Sequence, residues 1–339
     1  MKLSIVIICW NDLKCIGACL ESVYRETTSD DFEVIVTDNG STDGSVDYIR
    51  KNFPAVRLVE NGRNLGFGGA NNQGFKAARG HYVLILNPDT VILDRAIEKL
   101  TAFADRNPTV SAFGCRILNP DRSYQRSAYP VPTVRSHLIA ALNLRFLSKL
   151  SPVFLGEHYT GWEGNTEREI GFQAGCCLLI RGALLRTLNG FDERLFFQTE
   201  DADLCLRVWK SGSPVIFYPD AEVIHIGGQN RGTYPLPVVV ETQRSYYRFF
   251  FKHYGVNGIK RLRRIFLLRN CLRLMGYRLR RLLGSNTRID ARVTLHRTLL
   301  TWHWRIDPVS FIETGAEPET DCKPFAPAPK MIDSPTSAN

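Results

Sequence analysis

Between residues 4 and 115 the chain alternates short β-branched runs with amphipathic stretches, and this rhythm constrains the fold more than any other feature. Residues 4–9 form a buried-strand pattern stopped by Trp10-Asn11-Asp12, and residues 32–37 repeat it before Asp38-Asn39-Gly40. Residues 56–59 and 82–86 supply two more strands, the second ending at Asn87-Pro88-Asp89. Helical spacing fills the intervals at 16–24, 45–53 and 69–78. Strands alternating with helices in this way pair mostly in parallel and need cover on both faces, so the expectation is an α/β fold built on a doubly wound, mostly parallel sheet. Ligands of such sheets bind beyond the carboxyl ends of the strands. The polar clusters 38–43, 61–64 and 87–89 each lie at such an end and together make one polar crevice.

The stretch 191–204 breaks the regularity. It carries Asp192, Glu193, Glu200, Asp201 and Asp203 among Phe191, Phe196 and Phe197, and leads into an amphipathic run at 204–209. Carboxylates crowded against aromatics repel one another and resist desolvation, which suits a cation or a proton-accepting task. The same acids also suit the first turn of a helix capped by Thr199, where they complement the helix dipole. Residues 172–180 and 215–218 read as strands on either side. Residues 119–165, with several prolines and glycines and a short helix-like stretch at 136–147, read as a variable loop region able to act as a lid.

Charge divides the chain. Residues 242–289 hold 13 Lys/Arg and no Asp/Glu, which leaves 30 basic against 34 acidic residues elsewhere. Within that segment Ile265, Leu268, Leu272, Met275, Leu279 and Leu282 recur in steps of three and four, with Arg263, Arg273, Arg278, Arg280 and Arg281 mostly opposite. This basic amphipathic helix suits either an anionic membrane surface or packing on the protein's own body. The expected organisation is a body at 1–240, with halves at 1–115 and 171–228, a basic helical region at 241–312, and a disordered Pro- and Thr-rich tail at 313–339. Nine scattered cysteines without a C-x-x-C pair point to reduced thiols in a cytoplasm. The apolar run 3–10 is too short to span a membrane and lacks a cleavage site, and a transmembrane helix is not expected elsewhere.

Six pieces, in order, carry a resemblance: Ser4-Ile5-Val6-Ile7-Ile8-Cys9-Trp10-Asn11, Thr37-Asp38-Asn39-Gly40-Ser41-Thr42-Asp43-Gly44, Asn64-Leu65-Gly66-Phe67-Gly68-Gly69-Ala70-Asn71-Asn72, Leu86-Asn87-Pro88-Asp89, the 191–204 stretch, and His225. Any one alone is weak, since Asn-Gly and Asn-Pro are plain turn signals. Together they resemble the family 2 inverting glycosyltransferases of the GT-A fold, close to the bacterial rhamnosyltransferase-like branch, over roughly two thirds of the chain. The resemblance implies a nucleotide-sugar site using Asn11, Asp38, Asn64, Asn71 and Asp89, with Asp38 accepting from a pyrimidine N3–H. An Asx-turn competes for these acids, more for Asp43 than for Asp38. It further implies Mg2+ or Mn2+ held by Asp89 and by His225, on a loop after a strand and followed by Gly227-Gly228. The motif at 87–89 offers one carboxylate where many relatives have two, so diphosphate oxygens and water would complete the coordination. Asp201 matches the general base, Glu200 is expected to orient the acceptor, and Asp203 to support the helix start.

The function so implied is transfer of a sugar, L-rhamnose from dTDP-L-rhamnose as the leading choice, from a nucleotide diphosphate sugar to a lipid-linked glycan acceptor in cell-surface polysaccharide synthesis. The basic helix would hold the enzyme peripherally on the inner face of the membrane. A UDP-sugar-dependent transferase of galactofuranose or an N-acetylhexosamine is the alternative. A pyrophosphorylase would need a glycine-rich basic loop where Trp10-Asn11-Asp12 stands, and a dinucleotide dehydrogenase the G-x-G-x-x-G spacing and its paired acid. A nucleic-acid-binding protein would use the basic segment, but its aromatics bunch only at 246–251, so no nucleic acid is expected as a partner. A sugar-binding relative without catalysis is disfavoured by the presence of Asp89, Asp201 and His225 together.

Overall fold

The computed structural model describes residues 1–154, 156–196, 198–227, 235–284 and 286–315. Phe197, Gly228 and the tail beyond Gly315 lie outside them. The chain divides into two units, one holding Met1–Val131 and the described residues from Glu157 to the end of the sheet, the other Pro132–Gly156 and the helices that follow the sheet.

The elements begin β1 (Leu3–Cys9), α1 (Ile16–Glu26), β2 (Phe32–Asp38), α2 (Ser45–Asn52), β3 (Arg57–Glu60), α3 (Gly66–Ala77) and β4 (Tyr82–Leu86). Next come β5 (Thr90–Ile92), α4 (Ala96–Arg106), β6 (Ala112–Leu118), β7 (Ala128–Tyr129), α5 (Val134–Ala141), β8 (Arg168–Glu169) and β9 (Phe172–Gln173). The chain closes with β10 (Cys177–Arg181), α6 (Gly182–Thr187), α7 (Glu200–Lys210), β11 (Val215–His225), α8 (Leu236–Leu283), α9 (Thr287–Arg305) and α10 (Pro308–Thr314).

In the first unit the sheet runs β3-β2-β1-β4-β10-β6-β11-β5, with β8 also paired to β11. Strands β3, β2, β1 and β4 are parallel, as are β6 and β11, whereas β10 enters antiparallel between β4 and β6. The sheet is therefore mixed. The apolar runs explain its position: β1 is buried along its whole length, and α1 covers it with Ile16, Cys19, Leu20 and Val23. Helix α4 adds Ile97, Leu100 and Phe103 to the same core, each such side chain contributing about 1.5–3 kcal/mol through burial.

Several boundaries differ from the sequence reading. The expected strand at 172–180 is two strands, β9 and β10, because residues 174–176 turn between them. The strand expected at 215–218 continues to His225, so this histidine ends a strand instead of sitting on the loop after it. Helix α3 starts at Gly66, three residues before the expected position. Residues 119–165 are not one loop: β7 lies there, and residues 132–156 belong to the second unit, where Thr133 and Ser136 form a capping box for α5.

In the second unit α8 is interrupted at Gly255, whose φ of 64° is non-helical, and its C-terminal half packs on α9. The packing seam is Ile259, Leu262, Phe266, Asn270 and Leu274, with Asn270 Oδ1 3.0 Å from His296 Nδ1. Arg263 donates to the carbonyls of His303 and Trp304. The leucine stripe read from the sequence is a different face. Of its members only Ile265 is buried, and exposure rises along the helix from 39% at Leu268 to 83% at Leu282. The aromatics Tyr247, Phe249 and Phe250 are fully buried, so that cluster is core of this unit. Among the described residues, no helix is long and apolar enough to cross a membrane.

Candidate active site

Parallel pairing with Leu3 opposite Phe32 brings β1 and β2 to an end together, Cys9 beside Asp38, so the loops that follow share one edge. Asp38 is only 4% exposed and its carboxylate is turned onto its own loop. Its Oδ2 accepts from the Gly40 N–H at 3.0 Å, and both oxygens receive the Ser41 N–H at 3.3 and 3.2 Å. Asp43 is engaged in the same way, by Ser45 and by the Leu13 N–H. The turn therefore claims Asp38 as fully as Asp43, against the sequence reading, and a pyrimidine N3–H would have to share an occupied carboxylate. Asn11, at φ 58°, accepts the Thr42 N–H at 2.8 Å and stitches the two loops together.

Asn39 is the hub of the next layer. Its amide nitrogen donates to Asn64 Oδ1 at 3.0 Å, and its oxygen accepts from the Leu65 N–H at 2.9 Å and from Asn61. Asn64 Oδ1 also receives the Gly66 N–H at 2.8 Å, so this oxygen serves the turn into α3 while the residue itself stays exposed. Asn71 differs from its expected place. It is 0% exposed within α3, its Nδ2 donates to the Phe67 carbonyl of its own helix, and among the described residues its Oδ1 has no partner. Its neighbour Asn72 does the structural work, pairing with both the N–H and the carbonyl of Phe191 at 2.8 and 2.9 Å and with Glu193 Oε1. That clamp fixes the start of the acid-rich stretch.

At the head of α7 the acids divide into supported and unsupported. Asp203 is fully buried, bonded to Arg207 Nε at 2.8 Å, and the same guanidinium donates to the carbonyls of Leu188 and Gly190. It supports the helix start, as expected. Thr199 stands at the N-cap position, but its side chain makes no cap and its buried hydroxyl has no partner. Asp201 Oδ2 accepts the Gly175 N–H at 2.8 Å while, among the described residues, its Oδ1 has no partner. Glu200, 6% exposed, likewise buries Oε2 without a partner. Burial pushes both carboxyls above the ordinary range, Glu200 further because the Asp201 charge adds to it, Asp201 less because the Gly175 amide favours its ionised form. A Cβ on Gly175 would lie 2.5 Å from Asp201 Oδ1, so a side chain there requires the carboxylate to shift.

Asp89 and His225 are brought together by β5, which pairs antiparallel with β11 and sets His225 opposite Thr90. Asp89 Oδ1 and His225 Nε2 are 3.2 Å apart. A Cβ on Gly227 would come within 2.2 Å of Asp89 Oδ2, so the backbone passes close to the pair. Burial alone would raise the Asp89 carboxyl, and hydrogen bonding and charge from a protonated His225 bring it below the usual range. Burial, with the charges of Asp89 and Asp43, lifts the carboxyl of Asp12 nearby.

The pair fits a hard divalent cation. Two neighbouring ligands at ~2.1 Å in octahedral geometry lie about 3.0 Å apart, near the observed spacing, and a crowd of carboxylates would be relieved by positive charge. Among the described residues no group of three His, Cys, Asp or Glu converges on one point, so Asp89 and His225 are the two candidate ligands here.

A short relay ties the two centres together. Gly175 holds Asp201, the adjacent Cys176 carbonyl accepts the Asn87 N–H at 3.1 Å, and Asn87 Nδ2 lies 3.2 Å from His225 Nε2. The structure thus joins Asp201, Glu200, Asp89 and His225 at the ends of β4, β9 and β11, and keeps Asp38, Asn11 and Asn64 in the β1–β2 loop web. Gly175, Asn72 and Gln125, which contacts His225 Nδ1 at 2.7 Å, were not singled out from the sequence. Only Asn72 carried a signal, as the last residue of the glycine-rich motif.

Residues 4–158 match the family model described as Glycosyl transferase family 2. The chain is 33% identical over 229 residues to the N-acetylglucosaminyl-diphospho-decaprenol L-rhamnosyltransferase of Mycobacterium tuberculosis, covering 64% of this chain and 73% of that protein. It is 34% identical over 119 residues to a poly(ribitol-phosphate) beta-glucosyltransferase of Bacillus spizizenii, covering 34% of this chain and 19% of that one. Among solved structures it is similar to a mannosyltransferase from Pyrobaculum calidifontis in complex with GDP-Man and Mn2+, with a TM-score of 0.54 at 16% identity, covering 89% and 84% of the two chains.

Proposed function

The chain belongs to glycosyl transferase family 2 and has the GT-A fold, and from that premise we propose that it transfers L-rhamnose, with inversion, from dTDP-L-rhamnose to a lipid-linked N-acetylglucosaminyl diphosphate. The observation that carries the reading is the buried, partnerless carboxylate oxygen of Asp201 one strap of backbone away from the Asp89–His225 pair. The acceptor hydroxyl oxygen bonds to the anomeric carbon as the bond from that carbon to the diphosphate oxygen breaks. Its proton passes to Asp201, and the bonding electrons leave with the nucleoside diphosphate. Glu200, beside the base, orients the acceptor. Asp89 and His225 would hold Mg2+ or Mn2+, which supplies charge neutralisation at the departing diphosphate. The choice of sugar and acceptor is supported by the name of the mycobacterial relative and by the ordered motifs.

A panel of nucleotide sugars, scored for turnover with and without Mn2+, tests this. The expected outcome is preferential use of dTDP-L-rhamnose. Preference for UDP-galactofuranose or a UDP-N-acetylhexosamine would replace the donor assignment with that alternative.

The exposed stripe from Leu268 to Leu282, on a segment with 13 basic residues and no acidic one, supports peripheral attachment to an anionic membrane face where such an acceptor would lie. Each Lys/Arg near that surface is worth about 1 kcal/mol. Leu272→Glu with Leu279→Glu alters exposed positions only and should release the protein from anionic vesicles without changing its melting temperature. Unchanged vesicle binding in that variant would end the attachment idea.

A further inference from the structure

Gln125 is 4% exposed, and among the described residues its side chain meets three oxygens and one ring nitrogen. Its amide nitrogen donates to Asn119 Oδ1 at 2.9 Å, to the His225 carbonyl at 3.0 Å and to the Gly227 carbonyl at 3.3 Å. Two of those acceptors are backbone carbonyls, which cannot donate, so the amide has one permitted orientation. Its oxygen is thereby the atom that faces His225 Nδ1 at 2.7 Å. An amide oxygen only accepts, so Nδ1 must carry a proton whatever else happens to the ring. The neutral imidazole then has its lone pair on Nε2, the atom 3.2 Å from both Asp89 Oδ1 and the donating Asn87 Nδ2.

We infer that Gln125 is a positioning residue that fixes His225 as the Nδ1–H tautomer and so turns Nε2 into the nitrogen that meets a cation shared with Asp89. The inference rests on the metal reading of this site and adds to it the group that orients the histidine. Metal-binding histidines commonly donate their other N–H to such a partner, and removing it typically costs ~10–100-fold in metal affinity. The backbone carbonyls of His225 and Gly227 are part of the device. They read the strand end's own geometry and transmit it, through one amide, to the ring.

The test uses the full chain. Long-range 15N–1H spectra of the metal-free wild type at pH above 8 should show His225 protonated at Nδ1 and bare at Nε2, and an Nε2–H tautomer there would overturn the inference. Gln125→Leu should mix the tautomers and weaken binding of Mn2+ alone, followed by water-proton relaxation, by about 10–100-fold. Gln125→Glu keeps an acceptor for Nδ1–H and should retain the tautomer, with Mn2+ affinity nearer to wild type. Should Gln125→Leu disturb folding, the wild-type tautomer and the Gln125→Glu comparison still decide the matter. Wild-type Mn2+ affinity in a folded Gln125→Leu protein would overturn the inference. Failure of the wild type to take up Mn2+ while His225 remains Nδ1–H would instead overturn the metal reading of the site, and the two failures are told apart by the spectra.

Discussion

The loops after β1 and β2 and the head of α7 are both crowded with acids and amides, and the two regions treat them in opposite ways. In the loops nearly every polar side chain has found a mate: Asp38 holds two backbone amides, Asn39 links Asn61, Asn64 and Leu65, and Asn11 holds Thr42. At α7, among the described residues, one oxygen each of Glu200 and Asp201 has none. Since a buried unsatisfied polar group costs about 1–3 kcal/mol, the first arrangement stabilises the fold and the second costs stability while leaving two oxygens for the role proposed for them. Polar residues of similar type thus serve as mortar in one place and are left uncommitted in the other.

The strongest way to break that contrast is Asp201→Asn, which keeps shape and the Gly175 contact but cannot take a proton. Turnover should fall by about 10²–10⁴-fold with donor affinity retained. In the wild type the acid limb of kcat/KM should lie above the ordinary carboxylate range, because burial raises this carboxyl. An equal loss of donor affinity in the variant would return Asp201 to the structural class. Gly175→Ala sharpens the same point through packing alone. The added Cβ, 2.5 Å from Asp201 Oδ1, must displace the carboxylate, and a misplacement near 1 Å costs about 10²-fold in turnover. Turnover within a few-fold of wild type would mean that the carboxylate is free to move.

On the loop side, Asn39→Ala strands the Leu65 N–H and loosens Asn64, and should lower stability in urea by about 1–3 kcal/mol. A silent substitution would show that the web is not mortar. The smallest effect is expected from Glu200→Gln, read as melting temperature against pH. A carboxyl whose folded pKa is raised contributes its stability fully below its unfolded pKa and loses it as pH rises through the folded value. Glutamine cannot ionise, so the variant should gain on wild type progressively from mildly acidic to alkaline pH, while its turnover drops. A gap that does not change with pH would mean that Glu200 titrates alike in the folded and unfolded protein.

What could be read from the sequence follows the range of the forces involved. Strands β1, β2 and β4 announce themselves because a buried strand is a continuous apolar run, and their polar ends mark a crevice without further help. Asp203 was legible because its role is local, an i,i+4 pair with Arg207. The rotation of the true α8 seam away from the leucine stripe was not legible, since several apolar lines run along one helix and the partner α9 selects among them. Nor was the engagement of Asp38, because whether a carboxylate turns inward or outward is decided by two backbone amides that have no residue signature. Gln125 and Gly175 lie beyond reach for the same reason: their importance is in where their atoms arrive.

The pairing of β5 with β11 has a consequence in time. Thr37 can reach Ile7 across 30 residues, and such ladders close early because short loops cost little entropy. Asn87 and His225 are separated by 138 residues, and they meet only when the last strand of the sheet has docked. During synthesis, which delivers the N-terminus first, the early strands can fold and their loop web can set while the ribosome is still making the histidine. The Asp89–His225 pair is therefore a late event, assembled from the middle and the end of the unit's sequence. On the metal reading proposed for it, uptake of a metal would report that the whole sheet is complete, and a nascent chain arrested before β11 would carry a formed edge with only one of the two proposed ligands.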